Sequence, residues 1–305
     1  MNAEQGSPAA VQAQTVPSLP TKIGKFKASR MIVKESWEIL KQDKELAWFP
    51  VFSAITSLVA IAIMGAIFFY VVMAGNIHAF DNIDQQGVDA GSYIVLFIYY
   101  LIMFFITNYF LAGMYIIIDS RFKGQNLSFS DGIKGANDKL GKIFLWSLIS
   151  ATVGVILRII ADRSKIIGKI VAVVFGATWN ILTYFSLPSL IIGQTSVKES
   201  FRDSASIIRK TWGETIIVNF GVGLVFGLLS FLGIIIAVGF IVIVPVVSIA
   251  IVVLTLLVIY FIALSLISST LGSIFKLALY QYAKTGIVPQ GFTPALIEGA
   301  VKSGK

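Results

Sequence analysis

Apolar residues run along this chain in stretches far longer than a soluble core requires. Val51 to Met73 and Tyr93 to Ile118 each pass without a charged side chain. Both exceed the roughly 20 residues that cross a hydrocarbon layer of about 30 Å. Pro50 fits at the start of the first run, where its missing N–H is not needed. A third charge-free window, Ile143 to Leu157, is shorter than a full crossing, and Lys142 and Arg158 would have to extend it by snorkelling. A fourth, Ile170 to Ile192, carries Pro188. From Thr215 to Phe275 no charged residue occurs at all. As helix, that stretch would measure about 90 Å, enough for two crossings with a remainder. The expected spans are Ile216–Gly233 and Val246–Ser268, with a turn around Gly239 and Pro245. The pattern therefore predicts an all-α membrane protein with about six transmembrane helices arranged as three tandem helical hairpins.

Between these runs the pattern becomes amphipathic. Val33, Trp37 and Leu40 fall on one helical face, while Lys34, Glu38, Lys41 and Glu45 fall elsewhere. Phe129, Ile133, Ala136 and Leu140 form a stripe at i, i+4, i+7 and i+11, and Phe201, Ala205, Ile208 and Trp212 repeat it. Phe275, Leu279 and Tyr282 form a last stripe within Leu271 to Tyr282. Each of these segments is expected to be an amphipathic interfacial helix flanking the spans. Residues 1–27 are expected to be a disordered cytoplasmic tail, since the stretch to residue 20 is rich in Ala, Gln, Ser and Pro. Residues 28–284 form the membrane domain, and residues 285–305 a cytoplasmic C-terminal tail.

Composition agrees. Of 305 residues, 56% are hydrophobic and only 13% charged, against about 25% charged in soluble domains. The absence of cysteine removes disulfides, thiolate metal sites and cysteine nucleophiles. No signal-peptide pattern is visible in the first 50 residues. The net charge of +8 sits beside the apolar runs, so it speaks for membrane orientation and not for nucleic acid. Segments before Val51, at 119–142, at 193–214 and after 275 together hold 20 of the 24 Lys and Arg residues. Placed inside, they give a multi-pass protein of the cell membrane with both termini cytoplasmic. The loop with Arg158, Arg163, Lys165 and Lys169 dissents and would lie outside.

Alignment of the segments predicts one unit used three times: an amphipathic helix followed by a membrane hairpin. Val33-Lys34-Glu35-Ser36-Trp37 matches Val197-Lys198-Glu199-Ser200-Phe201, and Asp131 and Asp203 occupy the same place, as do Gly141 and Gly213. The second helix of each hairpin carries a Tyr-Phe pair: Tyr109-Phe110, Tyr184-Phe185 and Tyr260-Phe261. Such repeats describe how a membrane fold is built.

The stretch Ser36-Trp37-x-x-Leu40-x-x-Asp43-Lys44-Glu45-Leu46-x-x-Phe49-Pro50 resembles the opening of a family of uncharacterised six-helix membrane proteins of bacteria and archaea, known as a domain of unknown function. Ile274-Phe275-Lys276-x-Ala278-Leu279-Tyr280-x-Tyr282-Ala283-x-x-Gly286-x-Val288-Pro289-x-Gly291-Phe292 is similar to its closing stretch. The resemblance covers about residues 30–300. It implies a topology and brings no catalytic residues. The chain is also distantly similar to the membrane domain attached to some glycerophosphodiester phosphodiesterases, but it has no catalytic domain of that kind.

Candidate chemistry is sparse. His78 is the single histidine, and with Asp81 and Asp84 it falls short of the convergent ligand set of a metal site. No ionisable residue lies deep in a span, which argues against proton-coupled transport and against channels lined by rings of charge. Asn108, Asn180, Thr183 and Asn219 are the polar intramembrane candidates, with Thr107 and Thr178. They serve either interhelical hydrogen bonds or a polar path. Gly223-x-x-x-Gly227 and Ser150-x-x-x-Gly154 permit close helix approach. Pro188 is expected to kink the fourth span. Asn126-Leu127-Ser128 has the form of a glycosylation acceptor but falls on the cytoplasmic side. Lys22, Lys25, Lys27 and Arg30 are the candidate contacts for anionic lipid. No phosphate loop, dinucleotide fingerprint or nucleophile elbow is present, and no cofactor is expected. The expected function is that of a non-enzymatic membrane protein that binds lipid or scaffolds a membrane protein partner. The alternative is a permease or channel for a neutral or apolar solute.

Overall fold

Ten of the helices below contribute buried side chains to one shared core cluster. The structure is a computed structural model that describes residues 25–73, 90–163, 166–211, 222–243 and 247–302. Within these the helices are α1 (Lys25–Gln42), α2 (Trp48–Met73), α3 (Ala90–Phe122), α4 (Phe129–Asn137), α5 (Leu140–Asp162), α6 (Ile167–Leu182), α7 (Ser186–Ile191), α8 (Val197–Thr211), α9 (Val222–Ile243), α10 (Val247–Thr285) and α11 (Pro294–Lys302). A single 3-10 turn, Lys44–Ala47, joins α1 to α2. No strand occurs among the described residues.

Five stretches are long and apolar enough to cross a membrane: Lys44–Tyr70, Gly91–Phe122, Leu140–Asp162, Ile167–Ile191 and Ile249–Thr285. A shorter apolar stretch, Val225–Ile241, lies in α9. Packing pairs α2 with α3, α5 with α6 and α9 with α10, and α3 also lies along α5.

The core sits where the long helices begin or end. Phe49 is buried at the start of α2, and Ala112, Tyr115, Ile117 and Ile118 toward the end of α3. Ile143 and Trp146 are buried near the start of α5, and Leu271, Ile274 and Ala278 in the last third of α10. Toward this end, here called the base, α1, α4, α8 and α11 turn their apolar faces. Away from it the helices present apolar side chains outward, as with Leu58 and Phe69 of α2, Ile236 of α9 and Ile251 of α10. Such surface is stable in hydrocarbon and not in water.

Gly113 and Gly132 bring α4 against α3. A Cβ on Gly132 would lie 2.9 Å from the Gly113 carbonyl oxygen and 2.8 Å from Phe49 Cζ. The Phe49 ring therefore lies across both glycines, and it also meets Phe129 of α4 at 4.5 Å between ring centres. Three elements are locked by this crossing.

Several elements differ from the sequence expectation. The third span is not short: α5 runs for 23 residues. Its ends are charged yet helical because Lys142 donates to the carbonyls of Gln194 and Thr195, each at 3.0 Å, and Arg158 pairs with Asp162 at 2.9 Å. Pro188 does not kink a continuous helix. The helix stops at Leu182 and restarts as α7, with Pro188 in its first turn. There the missing N–H has no partner to lose, and the ring avoids a clash with a preceding helical carbonyl. The expected turn at Gly239 is absent, since α9 runs through it to Ile243; one glycine costs about 1 kcal/mol in a helix, less than freeing backbone groups in hydrocarbon. Pro245 lies outside the described residues. Leu271 to Tyr282 is not a separate interfacial helix but continues α10 for a total of 39 residues. The Thr270 and Ser273 hydroxyls donate to the Leu266 and Ser269 carbonyls, so these polar residues fit within the helix. Gly154 faces Tyr100, with Cδ2 at 3.0 Å from its would-be Cβ, whereas Gly223 and Gly227 have nothing within 4 Å. In α9 the close approach is instead at Gly233, under the Tyr260 ring, whose hydroxyl donates to the Leu229 carbonyl at 2.8 Å.

The segment after residue 284 folds back onto the base. Gly286 ends α10 with φ +71, and Gly291 turns with φ +94 against Ile39 of α1. Phe292, Leu296 and Ile297 are buried. Glu35 of α1 accepts from the Thr293 N–H at 3.1 Å and from its hydroxyl at 2.9 Å, fixing the start of α11.

The glycine crossing yields a paired prediction. Gly132→Ala should lower stability in detergent by about 1–3 kcal/mol, the usual cost of overpacking. Gly141→Ala, in open space on α5, should leave stability unchanged or raise it by up to about 1 kcal/mol. Equal melting temperatures for the two variants would contradict the crossing.

Candidate functional site

Polar side chains converge at the base, where α3, α7, α8 and α10 meet. Their placement begins with helix starts. Ser128 and Asp131 cap α4 reciprocally: the Ser128 N–H donates to Asp131 at 3.0 Å and the Asp131 N–H to Ser128 Oγ at 3.3 Å. Ser196 and Glu199 repeat the exchange on α8, at 2.9 Å and 3.3 Å. Each box satisfies two N–H groups that the helix itself leaves bare. The α8 face that turns inward carries two serines beside Ile207 and Ile208. Ser200 and Ser204 are fully buried, and Ser204 Oγ accepts the Phe185 N–H at 2.9 Å in the break before α7.

Asp203, one residue earlier, ties three helices. It accepts from Ser189 of α7 at 2.7 Å and from Lys284 of α10 at 2.7 Å. Ser189 also meets Thr195 Oγ1 at 3.1 Å, and Thr195 returns a hydrogen bond to the Ser189 carbonyl at 3.0 Å. Gly193 allows the Tyr280 hydroxyl to approach this group, since a Cβ there would stand 2.5 Å from it. Asp119 of α3 is held by Lys123 at 2.6 Å and accepts from Gln281 of α10. Asp43, buried after α1, pairs with Arg121 at 3.0 Å. Each of these carboxylates carries a cationic partner, so the arrangement works as cross-links between helices and leaves no carboxylate of the cluster unpartnered for proton transfer.

Lys276 differs. Its ammonium stands 4.3 Å from the centre of the Tyr184 ring, and among the described residues no carboxylate pairs with it. It is half-buried, on the α10 flank facing the break before α7. The basic residues of α1 point the other way: Lys27, Arg30 and Lys34 are exposed, opposite buried Ser29, Ile32 and Ser36. Lys25 opens α1, and Lys22 lies outside the described residues.

The polar intramembrane residues part ways. Asn108 of α3 donates to Ser147 of α5 at 3.1 Å. Thr183 gives its hydroxyl to the Trp179 carbonyl of its own helix at 2.7 Å. Asn180 is exposed on α6, so the structure does not bring it together with Asn108. Asn219, Trp212, His78, Asp81 and Asp84 lie outside the described residues. Asp119, Ser189 and Lys284 went unremarked in the sequence, and Asp203 appeared only as a repeat position, because Gln281 lies 162 positions from Asp119, Lys284 lies 81 from Asp203, and Ser189 reaches Asp203 across a change of helix. The signal available was Asp203 recurring at the Asp131 position.

The capping boxes generate a pH prediction. Hydrogen bonds from the Ser128 side chain and backbone hold the Asp131 carboxyl below its ordinary range, and those from the Ser196 backbone and side chain do the same for Glu199. A depressed carboxylate stabilises the fold above its unfolded pKa, near 4, and that contribution is lost as pH falls through the lower folded value. Amide exchange in the first turns of α4 and α8 should therefore accelerate below about pH 4. In Ser128→Ala the acid dependence of α4 should weaken while that of α8 persists. Acid-independent exchange in both turns would contradict the capping geometry.

Residues 90–291 match the model of a family of unknown function, DUF6159, and the chain belongs to that family. The match takes in the closing motif up to Gly291 and begins after the opening one. No curated protein and no solved structure matches the chain.

Proposed function

We propose that this member of the family is a non-enzymatic, six-span membrane protein whose base binds anionic lipid or scaffolds a membrane partner at the cytoplasmic face. One observation carries the reading. The buried core lies at one end, roofed by amphipathic helices, while the apolar remainder of the long helices faces outward. That is the build of a platform seated at a membrane surface.

The hairpin arrangement is supported by the alternation of buried ends. Burial falls at the start of α2, the end of α3, the start of α5, the break and α7 after α6, the start of α9 at Val222 and the end of α10. A chain crossing six times would alternate in this way. The threefold unit draws support from the two capping boxes and from buried Gly132 and Ala136 standing where α8 has buried Ser204 and Ile208. The Asn108–Ser147 bond supports a packing role for the polar span residues over a solute path. The exposed Lys27, Arg30 and Lys34 stripe supports contact with anionic headgroups, at roughly 1 kcal/mol per basic residue near a charged surface.

Two measurements test this reading. Asp84→Cys and Asp138→Cys, in the cysteine-free background, should label from opposite sides of a sealed vesicle, with Asp138 on the cytoplasmic side; labelling from one side would end the six-span topology. Thermal stability should be higher in nanodiscs of phosphatidylglycerol than of phosphatidylcholine, and Lys27→Glu, Arg30→Glu and Lys34→Glu combined should shrink the difference. Protein-dependent flux of uncharged solutes into proteoliposomes, with no lipid preference, would favour the permease instead.

A further inference from the structure

Glu45, Trp48, Phe52, Ser128, Phe129 and Ser130 line an open depression of about 450 Å³ where the turn before α2 meets the start of α4. Trp48 and Phe52 stand one turn apart on α2, with ring centres 5.9 Å apart. Phe129, the first residue of α4, brings its ring to 5.2 Å from that of Phe52. Glu45, in the 3-10 turn, accepts the N–H of Phe129. That bond joins residues 84 positions apart and fixes the carboxylate beside the rings.

The chemistry of this depression suits a cation. The Phe129 N–H is a neutral donor, so it occupies one oxygen of Glu45 and leaves the negative charge unanswered. Among the described residues no lysine or arginine pairs with Glu45. Asp131, bonded to Ser128 nearby, has Lys134 at 3.8 Å and differs in this respect. Aromatic faces attract cations, and tryptophan does so most strongly. A carboxylate beside one tryptophan and two phenylalanines therefore offers a hydrogen-bond acceptor for an ammonium group and apolar surface for its methylene carbons.

The position of the depression points to a lipid. Trp48 lies near the start of the apolar stretch Lys44–Tyr70. Trp48, Phe52, Ile55 and Val59 recur at i, i+4, i+7 and i+11, one helical face, and all four are exposed. From Trp48 to Val59 that face rises about 16 Å at 1.5 Å per residue, close to half of a hydrocarbon layer of about 30 Å. A cation-binding pocket thus stands at the polar end of an apolar face one leaflet long. A soluble amine or a basic peptide would use the pocket alone, whereas a lipid with an amine headgroup uses both.

We propose that this depression binds the primary ammonium of a phosphatidylethanolamine headgroup, with an acyl chain laid along the Trp48–Val59 face of α2. The proposal goes beyond the anionic-lipid reading above, since it calls for a cationic group and does not use the basic stripe of α1.

The test titrates the purified full chain in an uncharged detergent with phosphatidylethanolamine, with phosphatidylcholine of the same chains, and with free ethanolamine. Bound lipid is counted by native mass spectrometry, and the melting shift is read by fluorescence. Both lipids are zwitterions, but only the primary ammonium can donate to Glu45. Phosphatidylethanolamine should therefore bind about tenfold more tightly, the worth of one charge-assisted contact, and should raise the melting temperature. Millimolar ethanolamine should shift it little. Glu45→Gln keeps an acceptor for the Phe129 N–H but loses the charge, and should bring the preference close to one. Trp48→Leu should bind both lipids several-fold more weakly. Glu38→Gln, at an exposed carboxylate of α1 that pairs with Lys41, should bind as the parent does. Equal binding of the two lipids by the parent, or a preference that survives Glu45→Gln, overturns the site. A full melting shift from ethanolamine alone overturns the lipid as its occupant. If Glu45→Gln fails to fold, Trp48→Leu decides, and undiminished binding of both lipids by that variant overturns the site. Phosphatidylglycerol binding should be the same in Trp48→Leu as in the parent, so loss of the ethanolamine preference defeats this site and leaves the anionic-lipid reading to its own variants.

Discussion

Phe49 lies across two glycines, Gly113 and Gly132, where the start of α2, the end of α3 and the amphipathic α4 cross. Much else depends on that contact. It sets the depth at which α4 meets the spans, and α4 leads directly into α5, which lies along α3. The crossing is possible because neither glycine has a Cβ, so backbone meets backbone and one aromatic ring closes the gap. A membrane span has little hydrophobic drive to associate with another span, since lipid is as apolar as leucine. Packing must then come from close contacts and polar ties, and both are concentrated at the base.

The polar ties show the same logic. Asp203, Asp119 and Asp43 each join segments distant in sequence, and each is answered by Lys284, Lys123 or Arg121. Ion pairs at a wet surface contribute little. At the base their main effect is to fix which helices meet. Tyr184 and Phe185 illustrate how one repeated dipeptide takes different work: Phe185 is buried in the core, while Tyr184 carries Lys276 on its ring. Tyr109 instead donates to Asn137 at 2.8 Å, and Tyr260 closes on Gly233.

Much of the membrane architecture was legible as charge-free runs, because hydrocarbon demands length and apolarity and little else. The stripes of α4 and α8 were legible only in part: Ala136 and Ile208 are buried, whereas Leu140 is 40% exposed and opens α5 instead. Helix ends were harder. Lys142 and Arg158 made α5 look short because a charge count ignores where a long side chain reaches. The expected end of the last span at Ser268 does not hold, because α10 continues through it with the Thr270 and Ser273 hydroxyls bonded to its own carbonyls. The C-terminal segment read as a tail because its apolar residues are few, yet Phe292, Leu296 and Ile297 all go inward, held by Glu35 far upstream. The polar cluster left one trace in the sequence, Asp203 at the position of Asp131, since its members belong to separate helices and meet only through the fold.

The central claim is that stability resides in the base and that the outward parts of the spans are solvated by lipid. Its most direct measurement compares Phe49→Ala with Phe69→Ala in nanodiscs by denaturant or thermal unfolding. Phe49 is fully buried and Phe69 is 65% exposed on the same helix. The account predicts a loss of about 3–5 kcal/mol for Phe49→Ala, the usual range for a buried phenylalanine, and under about 0.5 kcal/mol for Phe69→Ala. Similar losses at both positions would show that the spans pack as tightly as the base and would contradict it.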